Sequence, residues 1–288
     1  MKCIGVVVTL LVSACLAEAQ QPRFDVVSVK RASPDAQGGG LRVSPGGRVA
    51  FVNSTLKALI AAAYQRFTWD SREIIGGPSW LNETRYDVIA QANGGLPPVD
   101  ADGFPSPLVG MLRAALEERF RLVARWETRE RPIYNLVMAR SDRRLGPKLV
   151  PAVADCAQAT TAMLEGRPPG TRTGRGPECS LSRTSDPGSI QANAVTPAFL
   201  ARALGAEGAG RDVVDRTGLS GTFDVDLLFV PEITLGGISA ERIARDPLYQ
   251  GRAGFFTALQ EQLGLKLEPS TGAVQVLVID RAERPTED

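Results

Sequence analysis

The chain reads as an α+β protein of two pseudo-repeated β-α-β-α-β-β units joined by a long, disulfide-pinned loop. Three observations predict this fold. Segments of period two alternate with segments of helical period. Their order in the first half recurs in the second at a steady offset, from 137 residues (Tyr86 to Phe223) to 143 (Leu112 to Phe255). A stretch rich in Gly, Pro, Thr and Arg separates the halves and carries one cysteine near each end.

In the first half, Val49 to Asn53 reads as a strand and Thr55 to Tyr64 as a helix capped by Asn53 or Ser54. Arg85 to Ala90 alternates as a strand, and Pro107 to Phe120 sets Leu108, Leu112, Leu116 and Phe120 on one helical face. Leu122 to Trp126 and Ile133 to Ala139 read as a closing hairpin. In the second half, Ser189 to Asn193 precedes a helix that Pro197 opens and Leu204 ends. Thr222 to Leu228 repeats the alternating strand, and Phe255, Leu259 and Leu263 repeat the helical face. Leu265 to Leu267, a turn at Ser270-Thr-Gly272, and Val274 to Ile279 form the second hairpin. Phe24 to Lys30 adds a strand before the first unit. The chain thus divides into a signal peptide at 1–19, a first unit at 20–150, a linker at 151–187 and a second unit at 188–288.

The first residues read as an export address. Lys2 gives a positive start, Ile4 to Leu16 an apolar run, and Ala17-Glu18-Ala19 the small-x-small pattern of signal cleavage before Gln20. A second processing reading competes, because Val12-Ser13-Ala14-Cys15 has the form of a lipobox. Lipidation at Cys15 makes the chain a membrane-anchored lipoprotein; simple cleavage leaves it periplasmic or secreted. Either way Cys156 and Cys179 remain, an even pair suited to an oxidising compartment. Their bridge stabilises by roughly 3 kcal/mol in the chain-entropy model.

Composition excludes whole classes of chemistry. The sequence has no histidine, which removes the commonest general base and metal ligand and rules out Ser-His-Asp and Cys-His catalysis. With 33 basic and 32 acidic residues the net charge is +1, and no polybasic tract offers the concentrated positive face that nucleic acid requires. Two cysteines without histidine cannot fill a zinc site, so no metal and no cofactor is expected.

The motifs Phe24-Asp-Val-Val-Ser-Val-Lys30, Gly76-Gly-Pro-Ser-Trp-Leu81, Arg85-Tyr-Asp87 and Arg119-Phe120 resemble those of a known family. So do Glu127-Thr-Arg-Glu130 with Pro132 and Tyr134, Gly146-Pro-Lys-Leu149, Asp215-Arg-Thr-Gly-Leu219 and Val278-Ile-Asp280. Together they resemble the exported proteins of soil bacteria that share a domain of unknown function, over essentially the whole chain after the signal. The resemblance implies no established activity. Some relatives carry the domain on peptidase-type sensor proteins, which implies a sensory or binding role. Relatives often place histidine where this chain has Arg125 and Arg281, so no histidine-based role carries over.

One nucleophile pattern survives. Ser54-Thr-Leu-Lys57 has S-x-x-K spacing, and Arg216-Thr217-Gly218 resembles the K-T-G box of penicillin-binding proteins, with Ser185-Asp186-Pro187 a partial match to the middle element. Against it stands a capped helix with Lys57 solvated on its first turn. A carboxylate calcium site at Asp212, Asp215, Asp224 and Asp226 stays open, although their spacing matches no EF-hand loop and Asp224 and Asp226 alternate toward the solvent face of their strand. Trp69, Trp80 and Trp126 are the binding candidates, because an exposed aromatic offers much contact area at low entropic cost. Trp80 either fills the core beside Tyr86 or projects from the turn at Gly76-Gly-Pro78. The expectation is a non-catalytic envelope module that binds a protein, peptide or glycan, without nucleic acid, and with a membrane only through Cys15. The alternative is a serine acyl-transfer enzyme using Ser54 and Lys57.

Overall fold

A computed structural model describes residues 22–36, 38–64, 74–96, 106–164, 179–182, 186, 188–231, 243 and 245–286. The signal peptide, Cys15 and Trp69 lie outside the described residues. The first half runs β1 (Val26–Arg31), β2 (Gly40–Ser44), β3 (Arg48–Thr55), α1 (Leu56–Ala63), β4 (Ile74–Gly76), β5 (Arg85–Gln91), α2 (Ser106–Phe120) and β6 (Val123–Met138). Next come β7 (Leu149–Ala152), α3 (Cys156–Leu164) and β8 (Ser180–Ser182). The second half follows with β9 (Ser189–Val195), α4 (Pro197–Leu204), β10 (Val213–Asp215), β11 (Thr222–Leu228), α5 (Phe255–Ala258, continued by a π-helical turn at Leu259–Leu263) and β12 (Leu265–Arg281). The fold is α+β.

Two of its three sheets have matching order. One is β1-β5-β3-β2 and the other β7-β11-β9-β8, and all their pairings are antiparallel. In each, the third-listed strand runs straight into a helix, α1 or α4. Both helices are capped by a threonine: the Thr55 hydroxyl accepts from Ala58 N at 3.2 Å and that of Thr196 from Phe199 N at 3.2 Å. The cap therefore falls one residue after Ser54, whose own hydroxyl donates to the Val52 carbonyl at 3.0 Å. Just before each cap the backbone turns left-handed, at Asn53 (φ 47) and Ala194 (φ 50). An aspartate from the neighbouring strand holds each turn: Asn53 N donates to Asp87 at 2.7 Å and Ala194 N to Asp224 at 2.9 Å. This is the shared reason for the Tyr-Asp-Val and Phe-Asp-Val patterns, and it corrects the reading of Asp224 and Asp226 as simple solvent-face residues. Asp226 is 8% exposed and takes Lys148 Nζ at 3.1 Å.

The hairpins expected at the end of each half do not form. β6 and β12 are single strands of 16 and 17 residues, paired antiparallel along their whole length. The turn signals were local, whereas the pairing joins opposite halves of the chain. Pro132 and Pro269 sit inside this ladder without breaking it, and the register shows why. Tyr134 N donates outward, away from β12, to the Asp212 carbonyl at 2.9 Å. Pro132 shares that outward direction by period two, and Pro269 faces Tyr134 in a pair that points its backbone away from the partner strand. Neither proline removes a ladder bond. Gly272 is extended rather than turning; a Cβ there would stand 2.7 Å from Ile133 Cδ1, so its bareness lets Ile133 lie across it.

Each long strand serves both halves. β4 of the first half adds in parallel to β12 at Leu277–Ile279, and β10 of the second adds in parallel to β6 at Tyr134–Leu136. The hydrophobic cores follow. The first gathers Val29, Phe51, Ile60, Tyr86 and Phe120 on Leu277 and Ile279 of β12; the second gathers Leu200, Phe223, Phe255 and Leu259 on Leu136 of β6. The stretch expected as loop carries the second half of β7, with α3 and β8, so both edge strands of the second sheet draw on it. Cys156 and Cys179 are bridged there, with Cα atoms 5.5 Å apart.

Candidate functional site

The serine pattern and the threonine box do not meet. Ser54 is 6% exposed inside the first sheet, and Lys57 is half-buried on the first turn of α1. Thr217 follows β10, at the far end of the long ladder, and is 1% exposed. Its hydroxyl donates to Asp215 at 2.7 Å and accepts from Leu219 N at 3.1 Å, while Arg143 donates to its carbonyl at 2.9 Å. The Asp-Arg-Thr-Gly-Leu motif is thus a self-satisfied turn. Asp186 lies in another network, with Arg252 at 2.7 Å. Along the ladder, the position where β4 pairs with β12 (Val278, opposite Arg125) and the position where β10 pairs with β6 (Asn135) lie ten residues of strand apart, about 33 Å.

The four aspartates considered for calcium are also dispersed. Asp212 faces Arg131 at 4.0 Å, Asp215 holds Thr217, Asp224 holds Ala194, and Asp226 holds Lys148. Among the described residues, no group of three or more Cys, Asp or Glu could hold a metal ion.

The tryptophans divide. Trp80 is half-buried against the first core, and the Arg284 guanidinium lies 5.2 Å over its ring. Trp126 is 42% exposed on β6 and meets Tyr64 edge-to-face, with centroids 5.9 Å apart. Arg113 lies 4.6 Å over the Tyr64 ring, and its Nε donates to the Ala63 carbonyl at 2.8 Å. Burial first, and the Glu117 carboxylate second, push the Tyr64 phenol above its ordinary pKa, against the pull of Arg113.

Strand alternation extends this group into a surface. Trp126, Thr128, Glu130, Pro132 and Tyr134 share one face of β6, and Pro269, Thr271, Ala273, Gln275 and Leu277 oppose them on β12. A cross-strand bond from Gln275 to Thr128 at 2.7 Å confirms the shared face. Both cores pack on this same face, the first around Leu277 and the second around Leu136. Between them Thr128, Glu130, Pro132, Thr271, Ala273 and Gln275 are all exposed. Tyr134 closes the second end as Trp126 closes the first. It stacks edge-to-face on Phe256 at 5.7 Å, with Arg211 lying 5.3 Å over its ring. An open polar floor thus runs between two aromatic walls, each backed by an arginine. The opposite face carries the Arg125–Glu127–Arg129 charge cluster, whose hydrogen bonds hold the Glu127 carboxyl below its ordinary value, Arg129 contributing most and Arg125 next. Of the aromatic–arginine walls only Trp126 was singled out by sequence. Sequence places Tyr134 on a separate hairpin strand, Ile133 to Ala139, which conceals its relation to Trp126.

The model of one family, described as a protein of unknown function (DUF3738), matches residues 57–282. The chain belongs to that family. No curated protein and no solved structure matches it. In this DUF3738 protein the matched span includes β6, β12 and both aromatic walls, so the ribbon lies wholly within the family's domain. No helix among its described residues is long and apolar enough to cross a membrane.

Proposed function

We propose that this DUF3738 chain is exported and acts in the cell envelope as a non-catalytic binding module, taking an envelope protein, peptide or glycan on the open face of the β6–β12 ribbon. The observation that carries the reading is that face: an exposed polar floor between Trp126, braced by Tyr64 whose ring Arg113 covers, and Tyr134, braced by Phe256 and Arg211. The Cys156–Cys179 bridge supports an oxidising compartment, periplasmic or extracellular, and Cys15 offers the lipid-anchored alternative. The committed hydroxyls of Ser54 and Thr217 support the non-catalytic part, because a nucleophile needs an adjacent base and a free path to substrate.

Two experiments test it. Immobilised chain should retain an envelope component from a detergent extract, and Ala273→Arg, which fills the exposed floor, should release it. Equal retention by both proteins contradicts the assigned face. A fluorophosphonate or fluorescent penicillin should leave the protein unlabelled; stoichiometric labelling lost in Ser54→Ala would establish the acyl-transfer alternative.

A further inference from the structure

We infer that the outer face of the first sheet docks on an anionic membrane surface, a second site apart from the ribbon face. Strands β1, β5 and β3 turn Val29, Tyr86, Val88, Val49 and Phe51 inward to the first core, so their alternate residues point away from it. On that outer side Lys30 of β1, Arg42 of β2 and Arg48 of β3 stand around Ile89 of β5, with Val26 and Ala50 beside it. The three cations are exposed, Val26 is 59% exposed and Ile89 37%. An antiparallel sheet face turned to water ordinarily carries polar residues in such places. Among the described residues none of the three cations meets a carboxylate at ion-pair distance, whereas Arg125, Arg140 and Arg252 all do. Asp87, opposite Lys30, is committed to the Asn53 N–H at 2.7 Å.

The second sheet, of matching order, supplies the comparison. Setting Asp224 on Asp87, the two aspartates that hold the left-handed turns, fixes the register of one sheet on the other. Lys30, Arg42, Arg48 and Ile89 then correspond to Val150, Ser182, Ser189 and Asp226. The same framework thus stands without a cation at any of these places and with a carboxylate at the centre. The cations of the first sheet serve something other than the scaffold. No run of basic residues announces them, because each comes from a different strand.

Their placement selects a plane. Lys30 and Arg42 lie on the two edge strands, three strand spacings or about 14 Å apart, and Arg48 lies off the line between them. A linear polyanion is matched by cations in file. An extended acidic peptide would seek a sheet edge rather than a face. A plane of phosphate headgroups meets all three cations at once, while Ile89 and Val26 press into the boundary between headgroups and acyl chains. Cys15 lies eleven residues before Val26 in sequence, so a lipid carried there would be tethered to the edge strand of this face. One acylated residue and one basic patch together make a stable anchor.

Vesicle co-sedimentation tests the inference on the chain from Gln20 onward, which carries every described residue and no acyl group. Vesicles with about 30% phosphatidylglycerol in phosphatidylcholine should bind it at about 0.1 M NaCl and release it at about 0.5 M, where screening is stronger. Pure phosphatidylcholine vesicles should bind at least tenfold more weakly. Each cation near an anionic surface is worth roughly fivefold in partitioning, so Lys30→Gln, Arg42→Gln and Arg48→Gln combined should weaken binding about a hundredfold. The same charge removed from paired residues elsewhere, by Arg129→Gln, Arg140→Gln and Lys266→Gln combined, should change it less than about twofold, because those sites lie beyond the screening length. Melting curves show whether both triple variants are folded, and the salt release needs no variant. Equal binding to the two vesicle types, binding that persists at the higher salt, or equal loss in the two triple variants overturns the inference. So does retention on heparin without vesicle binding, which would assign the face to a linear polyanion.

Discussion

Replacing Asp224 by alanine tests the device that both halves use to launch a helix from a strand. The Asp224 carboxylate accepts the Ala194 N–H at 2.9 Å, and Ala194 is 1% exposed and left-handed, at φ 50. Without the carboxylate that N–H is buried without its charged acceptor. Hydrogen bonds to charged groups contribute about 1.5–3 kcal/mol, and a stranded buried donor costs about 1–3 kcal/mol. The left-handed alanine is already strained by roughly 1–2 kcal/mol, so the turn has little reserve. We expect a loss of about 2 kcal/mol. For a chain of this size that lowers Tm by roughly 4–8 °C. Asp87→Ala should cost a similar amount through Asn53, somewhat less because asparagine tolerates the left-handed region better than alanine. Thermal melts by circular dichroism and urea midpoints measure both. If Asp224→Ala changes stability by less than 0.5 kcal/mol (roughly the noise of a surface substitution), or if only one of the two variants is destabilised, the shared-device reasoning fails.

Other consequences follow from the same geometry. Arg121 is exposed and left-handed (φ 48) just after α2, where Gly264 (φ 69) ends α5, so Arg121→Gly should stabilise by up to about 1 kcal/mol in urea unfolding; a comparable loss would contradict the cap reading. Arg252 pairs with Asp186 at 2.7 Å, the two side chains being 13% and 16% exposed, and Arg252→Ala should cost about 1.5–3 kcal/mol by removing the charged donor from a carboxylate that keeps the Gly188 N–H at 2.9 Å. The raised Tyr64 pKa means the fold favours the neutral phenol. Its stabilising contribution is present below the unfolded value and is lost as pH rises through the raised folded value. Near-UV titration should show that Tyr64→Phe removes a late-ionising phenol; loss of an early phase instead would reverse the sign.

Period and turn chemistry located most elements. Thr222 to Leu228 was legible to the residue because Phe223, Val225 and Leu227 alternate and Gly221 precedes it. The cysteine pair was legible from count and compartment. The ribbon was not, because Pro132 and Ser270-Thr-Gly272 carry local turn signals, while the pairing that overrules them joins residues far apart in the chain. Period two also sent Asp224 and Asp226 outward without showing the Ala194 N–H and the Lys148 ammonium they would meet. The candidate face was half visible. Trp126 stood out as a lone aromatic, but its relation to Tyr134 exists only once β6 is one strand, and Arg113 and Arg211 reach it from separate elements.

Site-specific photo-crosslinking in the producing cell tests the ribbon face most directly. A benzoylphenylalanine at Ala273, in the middle of the floor, should form an adduct with an envelope component, and Trp126→Ala should abolish it. The same probe at Val150, 50% exposed on the remote edge strand β7, should form none. Adducts at Val150 with none at Ala273 would contradict the account.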